Sequence, residues 1–121
     1  MTDLQPHRRL SAIVMADVVG YSRLMNEDET GTLKVIKEIQ TDLINPLVNR
    51  HGGRIVKTMG DGFLIEFVSV VEATQCSIEI QKSVLLLNSE DKSKKNINLR
   101  FGIHLGDIIE TGNDIYGDGV N

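Results

Sequence analysis

The apolar residues of this chain change period along its length, and the order of those changes leaves few folds open. Residues 10–19 form a mostly apolar run rich in Val and Ile, the pattern of a strand buried on both faces. Leu33, Ile36, Ile39, Leu43 and Leu47 recur every three or four positions within residues 29–50, which predicts one long helix. Pro46 should kink or fray its end, and Gly52-Gly53 should stop it. Residues 54–59 and 63–67 read as two short strands joined through Gly60-Asp61-Gly62, a hairpin-type connection. Ser69 and Glu72 have capping-box spacing. They open a second helix with an apolar stripe of Ala73, Cys76, Ile80, Val84 and Leu87, ending near Asn88.

Residues 97–105 alternate, with Ile97, Leu99, Phe101, Ile103 and Leu105 on one side. That is a half-buried strand. Residues 107–111 read as a further short strand after Gly106. The order is β-α-β-β-α-β with one extra strand. The expected fold class is therefore α+β, a ferredoxin-like core with an extra C-terminal strand. Residues 1–9 are polar and aperiodic, and are expected to be a flexible lead-in.

A chain of 121 residues and 13.4 kDa is one domain's worth. At that size about two thirds of the unfolded surface is buried on folding, enough for one core without staples. A net charge of −4 argues against nucleic-acid binding through a broad basic face. Cys76 stands alone, so no internal disulfide forms. No signal-peptide pattern opens the chain, and no apolar run approaches the roughly 20 residues that span a bilayer. A cytoplasmic domain without nucleic-acid or membrane contact is expected.

The topology sets the end of the first strand beside the start of the third, which brings Asp17 and Asp61 together. Two carboxylates at neighbouring loop ends suit a hard cation such as magnesium, which favours few carboxylates plus phosphate oxygens. Backbone amides after Gly20, leading into a helix, can hold phosphate. Asp is also common in turns, and on spacing alone the two readings stand level.

Other motifs fail. Asp17-Val18-Val19-Gly20 has the DxxG form of GTPases, but no phosphate-binding GxxxxGK[ST] loop accompanies it. Residues 26–31 resemble the start of a calcium loop, yet its twelfth position is Lys37. Gly117 and Gly119 lack the third glycine of a dinucleotide fingerprint. Cys76 reads as a buried structural thiol. His51 reads as a solvated helix-terminal residue, and His104 as a structural hydrogen-bonding one.

The combination is far more specific than its parts. Ala16-Asp17-Val18-Val19-Gly20-Tyr21-Ser22 comes first, then Lys57-Thr58-Met59-Gly60-Asp61-Gly62. Arg100-Phe101-Gly102-Ile103-His104-Leu105-Gly106 follows, and Asp114-Ile115-Tyr116-Gly117-Asp118-Gly119-Val120-Asn121 closes the chain. In that order they resemble the catalytic domain of class III nucleotidyl cyclases of the bacterial adenylate cyclase type, over residues 10–121.

The resemblance implies roles residue by residue. Asp17 and Asp61 match the family's metal-binding aspartates, with the Val18 carbonyl as a further ligand to two Mg²⁺ or Mn²⁺ ions. Val19, Gly20, Tyr21 and Ser22 match the phosphate-cradling turn. Arg100 matches an arginine that holds the triphosphate. Lys57 and Asp114 match the pair that reads adenine, and Asn121 matches the asparagine that orients the ribose. The resemblance also implies ATP as substrate and a homodimer with composite active sites at its interface.

Adenine offers an acceptor at N1 and a donor at N6, which an ammonium and a carboxylate satisfy. Guanine offers the reverse on that edge and leaves buried groups unpaired. The family pattern continues past Asn121 with a transition-state arginine and a phosphate-contacting lysine. The domain is thus expected to be incomplete at its C-terminus, and inactive by itself. A non-catalytic nucleotide- or metal-binding regulatory domain is the alternative. A diguanylate-forming site on the same fold would need a Gly-Gly-Asp/Glu-Glu-Phe hairpin, where this chain has Met59-Gly60-Asp61-Gly62. A ligand-free interaction module of this fold would bind no nucleotide at all.

Overall fold

The computed structural model describes residues 7–90, 96–117 and 120. Its elements are β1 (His7–Val18), α1 (Tyr21–Glu27), α2 (Glu29–Ile39), a π-helical turn (Gln40–Ile44), α3 (Asn45–Arg50), β2 (Arg54–Met59), β3 (Gly62–Phe67), α4 (Val70–Glu90), β4 (Leu99–Thr111) and β5 (Asp114–Tyr116). The strands form one antiparallel sheet in the order β2-β3-β1-β4-β5. This is the ferredoxin-like α+β core with one additional edge strand.

β1 is central, and its alternate residues serve two cores. Ala12, Val14, Ala16 and Val18 face the helices, packing with Phe63, Ile65 and Phe67 of β3 and the apolar stripes of α2, α3 and α4. Ile13 faces the other way, into a smaller cluster with Leu64, Ile108 and Ile115. Above that cluster the sheet curls, so that its two edge strands β2 and β5 come into contact. Lys57 of β2 and Asp114 of β5 close the curl with a 2.9 Å ion pair.

Four expectations need correction. β1 begins at His7, so residues 7–9 belong to the sheet rather than to a lead-in, and residues 1–6 lie outside the described residues. Pairing of His7 with Glu110 and of Arg9 with Ile108 holds this end. Arg9 is fixed further by Glu66 and Glu110 at 2.7 and 2.6 Å.

Residues 29–50 follow one helical path, but with a π turn over Gln40–Ile44. Pro46 has no N–H to continue an α-helical ladder, and just before it the Asn45 amide donates to Gln40, five residues back. Ile36, Ile39 and Leu47 of the proposed stripe are buried, but Leu33 is exposed, and Thr32 and Val35 are buried in its place.

β4 runs unbroken through Gly106, because β1 is long enough to pair with it from Asp17↔Arg100 to His7↔Glu110. The extra strand is therefore Asp114–Tyr116, reached by a turn at Gly112 with φ 64°.

The alternating face of β4 is only half covered. Leu99 is buried, but Ile103 and Leu105 are exposed, Ile103 beside a shallow groove it lines with Ile78 and Leu85 of α4.

Local chemistry accounts for the helix starts. The Asp28 side chain caps α2 by accepting from the Gly31 amide at 3.0 Å. A Cβ on Gly31 would lie 2.2 Å from Asp28 Oδ2, so the cap depends on glycine there. Ser69 accepts from the Glu72 amide at 3.1 Å and caps α4. Asn88 on α4 donates to the Ile97 carbonyl and accepts from its amide, at 2.9 and 3.2 Å. That pins the approach to β4. No described helix is long and apolar enough to cross a membrane.

Candidate active site

β1 ends at Val18, and its last residues meet the hairpin between β2 and β3. Met59 pairs with Gly62, leaving Gly60 and Asp61 as a two-residue turn with Gly60 at φ 59°. Only a residue without a Cβ adopts that conformation freely. The turn aims Asp61 back at β1, where Asp61 Oδ2 accepts from the Val18 amide at 3.1 Å. The Asp61 carboxylate thus adjoins Asp17.

On the opposite side β4 delivers Arg100, directly paired with Asp17. Its guanidinium grips the carboxylate with two parallel bonds. Nε donates to Oδ1 and Nη2 donates to Oδ2, both at 3.0 Å. Asp17, then Asp61, hold the Arg100 pKa above its usual value. Two carboxylates and one arginine therefore meet at a single end of the sheet.

Immediately after β1 the chain turns at Gly20, which takes φ 69° and ψ 30° and precedes α1 without a side-chain cap. Val19 and Ser22 are exposed, and Tyr21 leans on the main core. The turn adjoins Asp17, with its first-turn amides free of any capping side chain.

The second group lies where the sheet curls. Lys57 Nζ donates to Asp114 Oδ2 at 2.9 Å, while Asp114 Oδ1 accepts from the Ile115 amide at 2.8 Å. The Lys57 ammonium first, then that amide, hold the Asp114 carboxyl below its ordinary pKa. Lys57 and Asp114 are 57 positions apart in sequence, and the curl alone joins them. Among the described residues no hydrogen bond links this pair to Asp17, Asp61 or Arg100. Asn121 lies outside the described residues.

The donor set at Asp17 and Asp61 consists of carboxylate oxygens, the ligands hard divalent cations take. Among the described residues no group of three or more His, Cys, Asp or Glu side chains is arranged to hold a metal. Two carboxylates suit an ion that completes its shell with phosphate oxygen and water.

Two clusters were not anticipated from sequence. His51, expected in solvent, is nine-tenths buried between α3 and α4. Its Nδ1 lies 2.7 Å from Glu72 and its Nε2 lies 3.1 Å from Glu79. Glu72 thus serves His51 rather than closing a capping box. Glu66 is almost fully buried and accepts from Arg9, Ser11 and Arg54. The Arg9 bonds, opposed by burial, pull its carboxyl down to about 2. The His104 side chain is exposed with its ring against Gly106, and among the described residues that ring makes no hydrogen bond. Cys76 is buried, as expected, and burial pushes its thiol up to about 11.

The model of the adenylate and guanylate cyclase catalytic domain matches residues 4–121, nearly the whole chain. The chain belongs to this family. It is 44% identical over 114 residues to "Putative adenylate cyclase 3" of Rhizobium meliloti, covering 94% of this chain and 19% of that protein. It is 34% identical over 117 residues to an adenylate cyclase of Streptomyces coelicolor, covering 94% of this chain and 28% of that one.

Among solved structures, an adenylate/guanylate cyclase/hydrolase from Silicibacter pomeroyi superposes with a TM-score of 0.87 at 43% identity. The match covers 96% of this chain and 67% of that one. The cyclase-family chain thus spans less than a third of the length of these two curated relatives.

Proposed function

We propose that the longer protein to which this cyclase-family domain belongs converts ATP to 3′,5′-cyclic AMP and pyrophosphate in the cytoplasm, as a homodimer with composite active sites. The observation that carries the choice of adenine is the 2.9 Å Lys57–Asp114 pair. It sets an ammonium donor beside a carboxylate acceptor, the complement of adenine N1 and N6. Guanine would meet donor against donor and acceptor against acceptor, and a buried mismatch of that kind is strongly rejected.

Asp17 and Asp61, with the Val18 carbonyl, would hold two Mg²⁺ or Mn²⁺ ions. Such ions neutralise phosphate charge and acidify the attacking hydroxyl. Arg100 takes the triphosphate in this reading, and the amides of Val19, Gly20, Tyr21 and Ser22 cradle it. Asn121 orients the ribose. The 3′-oxygen forms a bond to the α-phosphorus, the bond from the α-phosphorus to the bridging oxygen breaks, and pyrophosphate departs. The 3′ proton passes to solvent. In the dimer one protomer supplies Asp17, Asp61 and Arg100, and its partner supplies Lys57, Asp114 and Asn121. The protein's part is positioning and charge neutralisation.

The test is an assay of the full-length protein with ATP and GTP, under Mg²⁺ and Mn²⁺, beside Asp17→Ala and Asp61→Ala. Cyclic AMP from ATP in excess over cyclic GMP from GTP is expected, and its loss in both variants with the fold retained. Failure to turn over ATP, or full activity in either variant, refutes the proposal.

A further inference from the structure

Resting on the reading that Asp17 and Asp61 hold divalent cations, we infer that Arg100 also gates Asp17. Arginine and cation compete for one carboxylate, and the triphosphate relieves the competition, so cation and triphosphate promote each other's binding.

The grip of Arg100 on Asp17 uses both oxygens, Nε to Oδ1 and Nη2 to Oδ2 at 3.0 Å each. This fork-to-fork arrangement is among the stronger forms of charged hydrogen bonding. A guanidinium stays charged at any ordinary pH and has no acceptor of its own, so deprotonation cannot open the grip. A Mg²⁺ ion on either Asp17 oxygen would stand about 2.0–2.1 Å from it. Two positive centres would then crowd one carboxylate, and the arginine must yield for the ion to bind.

The surroundings let it yield. The Arg100 side chain is 70% exposed. Gly102, two positions along β4 and on the same face, has no atom within 4 Å of where its Cβ would be. The space beside Arg100 is therefore open. Asp61 cannot follow the arginine away, because the Val18 amide holds its Oδ2 at 3.1 Å. Once off Asp17, the guanidinium presents its N–H donors with no acceptor, which is what a triphosphate supplies. A triphosphate that draws Arg100 aside uncovers Asp17 for the cation, and a cation on Asp17 frees Arg100 for the triphosphate. Linkage makes the two effects equal. Exposed ion pairs are individually weak, so the gate is shallow, with an effect of about two- to fivefold on cation affinity.

Mn²⁺ binding to the full-length protein at low ionic strength, followed by electron paramagnetic resonance with and without tripolyphosphate, tests this. Wild type, Arg100→Gln, Arg100→Lys and Asp17→Asn are compared. Arg100→Gln is expected to bind Mn²⁺ alone about two- to fivefold more tightly than wild type. It should also keep only the part of the tripolyphosphate enhancement that direct cation–phosphate contact supplies, less than wild type shows. Arg100→Lys keeps the charge without the fork and should fall between the two. Asp17→Asn should weaken Mn²⁺ binding throughout. If Arg100→Gln binds Mn²⁺ no more tightly than wild type while Asp17→Asn still loses it, the gate is overturned and the cation site stands. If Asp17→Asn leaves Mn²⁺ binding unchanged, or wild type binds none, the cation reading falls and the gate with it.

Discussion

Replacing Glu66 with Gln tests whether the lower end of the sheet is held by charge rather than by packing alone. Glu66 lies on β3 with a side chain only 8% exposed. It receives Arg9 through Nε and Nη2 at 2.7 Å each, Ser11 Oγ at 2.6 Å, and Arg54 Nε at 3.0 Å. Its pKa falls from 4.5 to about 2, chiefly through the Arg9 bonds, against the opposing effect of burial. At 1.36 kcal/mol per factor of ten in proton affinity, that gap corresponds to about 3 kcal/mol favouring the ionised folded state.

A folded-state pKa below the unfolded one gives stability that is present above pH 4.5 and lost as pH falls toward 2. Glu66→Gln keeps the shape, removes the charge and leaves Arg9 with Glu110 as its one remaining carboxylate partner among the described residues. Breaking a buried pair from one side costs about 3–5 kcal/mol. Urea denaturation at pH 7 should show a loss of about 3 kcal/mol with little change in m-value. Repeated toward pH 2.5, the gap between wild type and variant should narrow steadily. A variant matching wild type at pH 7, or a gap that does not depend on pH, would refute the reasoning.

Neutralising Lys57 and Asp114 together, as Lys57→Met with Asp114→Asn, should lower the ATP-over-GTP preference at least about tenfold, read as the ratio of kcat/KM values. An unchanged ratio would remove these residues from base recognition. His51 has a raised pKa, owed first to the Glu72 hydrogen bond and with Glu79 adding to it. Its contribution to stability is therefore full below pH 6.5 and declines as pH rises through the higher folded value. His51→Gln should flatten that decline in thermal melts between pH 6 and 9, and an unaltered slope would discount the clamp. Gly31→Ala should destabilise by about 1 kcal/mol despite alanine's better helix propensity. The new Cβ would collide with the Asp28 carboxylate and expel the cap. A stabilised variant in urea titration would contradict this.

How much of this was legible in the sequence depended on how local each cause is. Element types and their order follow from periodicity, so the ferredoxin-like core could be read directly. The proximity of Asp17 and Asp61 follows from that topology, and the Asp61–Val18 hydrogen bond expresses it. The proximity of Lys57 and Asp114 does not, because it needs the sheet to curl until its edges meet. Strand ends were misjudged at Gly106, where glycine usually signals a break but continuous pairing with β1 overrides it.

The Glu66 cluster was hidden by a single irregularity. From the turn at Gly60-Asp61, regular pairing would oppose Arg54 to Phe67. The register shift between Ile55 and Lys57 opposes it to Glu66 instead. His51 was hidden because its partners Glu72 and Glu79 reside on a helix packed beside its own.

The same shift in β2 connects the stability cluster to the candidate site. On the regular side of Val56, Lys57 pairs with Leu64, and beyond the shift Arg54 pairs with Glu66. Leu64 and Glu66 are both even-numbered positions of β3 and share a face. Lys57 and Arg54 therefore both point over the small core of Ile13, Leu64, Ile108 and Ile115, although three positions separate them. In a regular strand an odd separation would send one of them to the helix side. Because both project inward from the β2 edge, both can reach across the curl, Lys57 to Asp114 at 2.9 Å and Arg54 to Glu110 at 3.1 Å. Two ion pairs along one seam fix the relative position of β2 and the β4–β5 hairpin more firmly than either does alone. The spacing of the Lys57–Asp114 pair is then a property of the seam. Deleting Val56 would therefore restore regular pairing yet leave Arg54 and Lys57 two positions apart and on one face, so the seam should survive it.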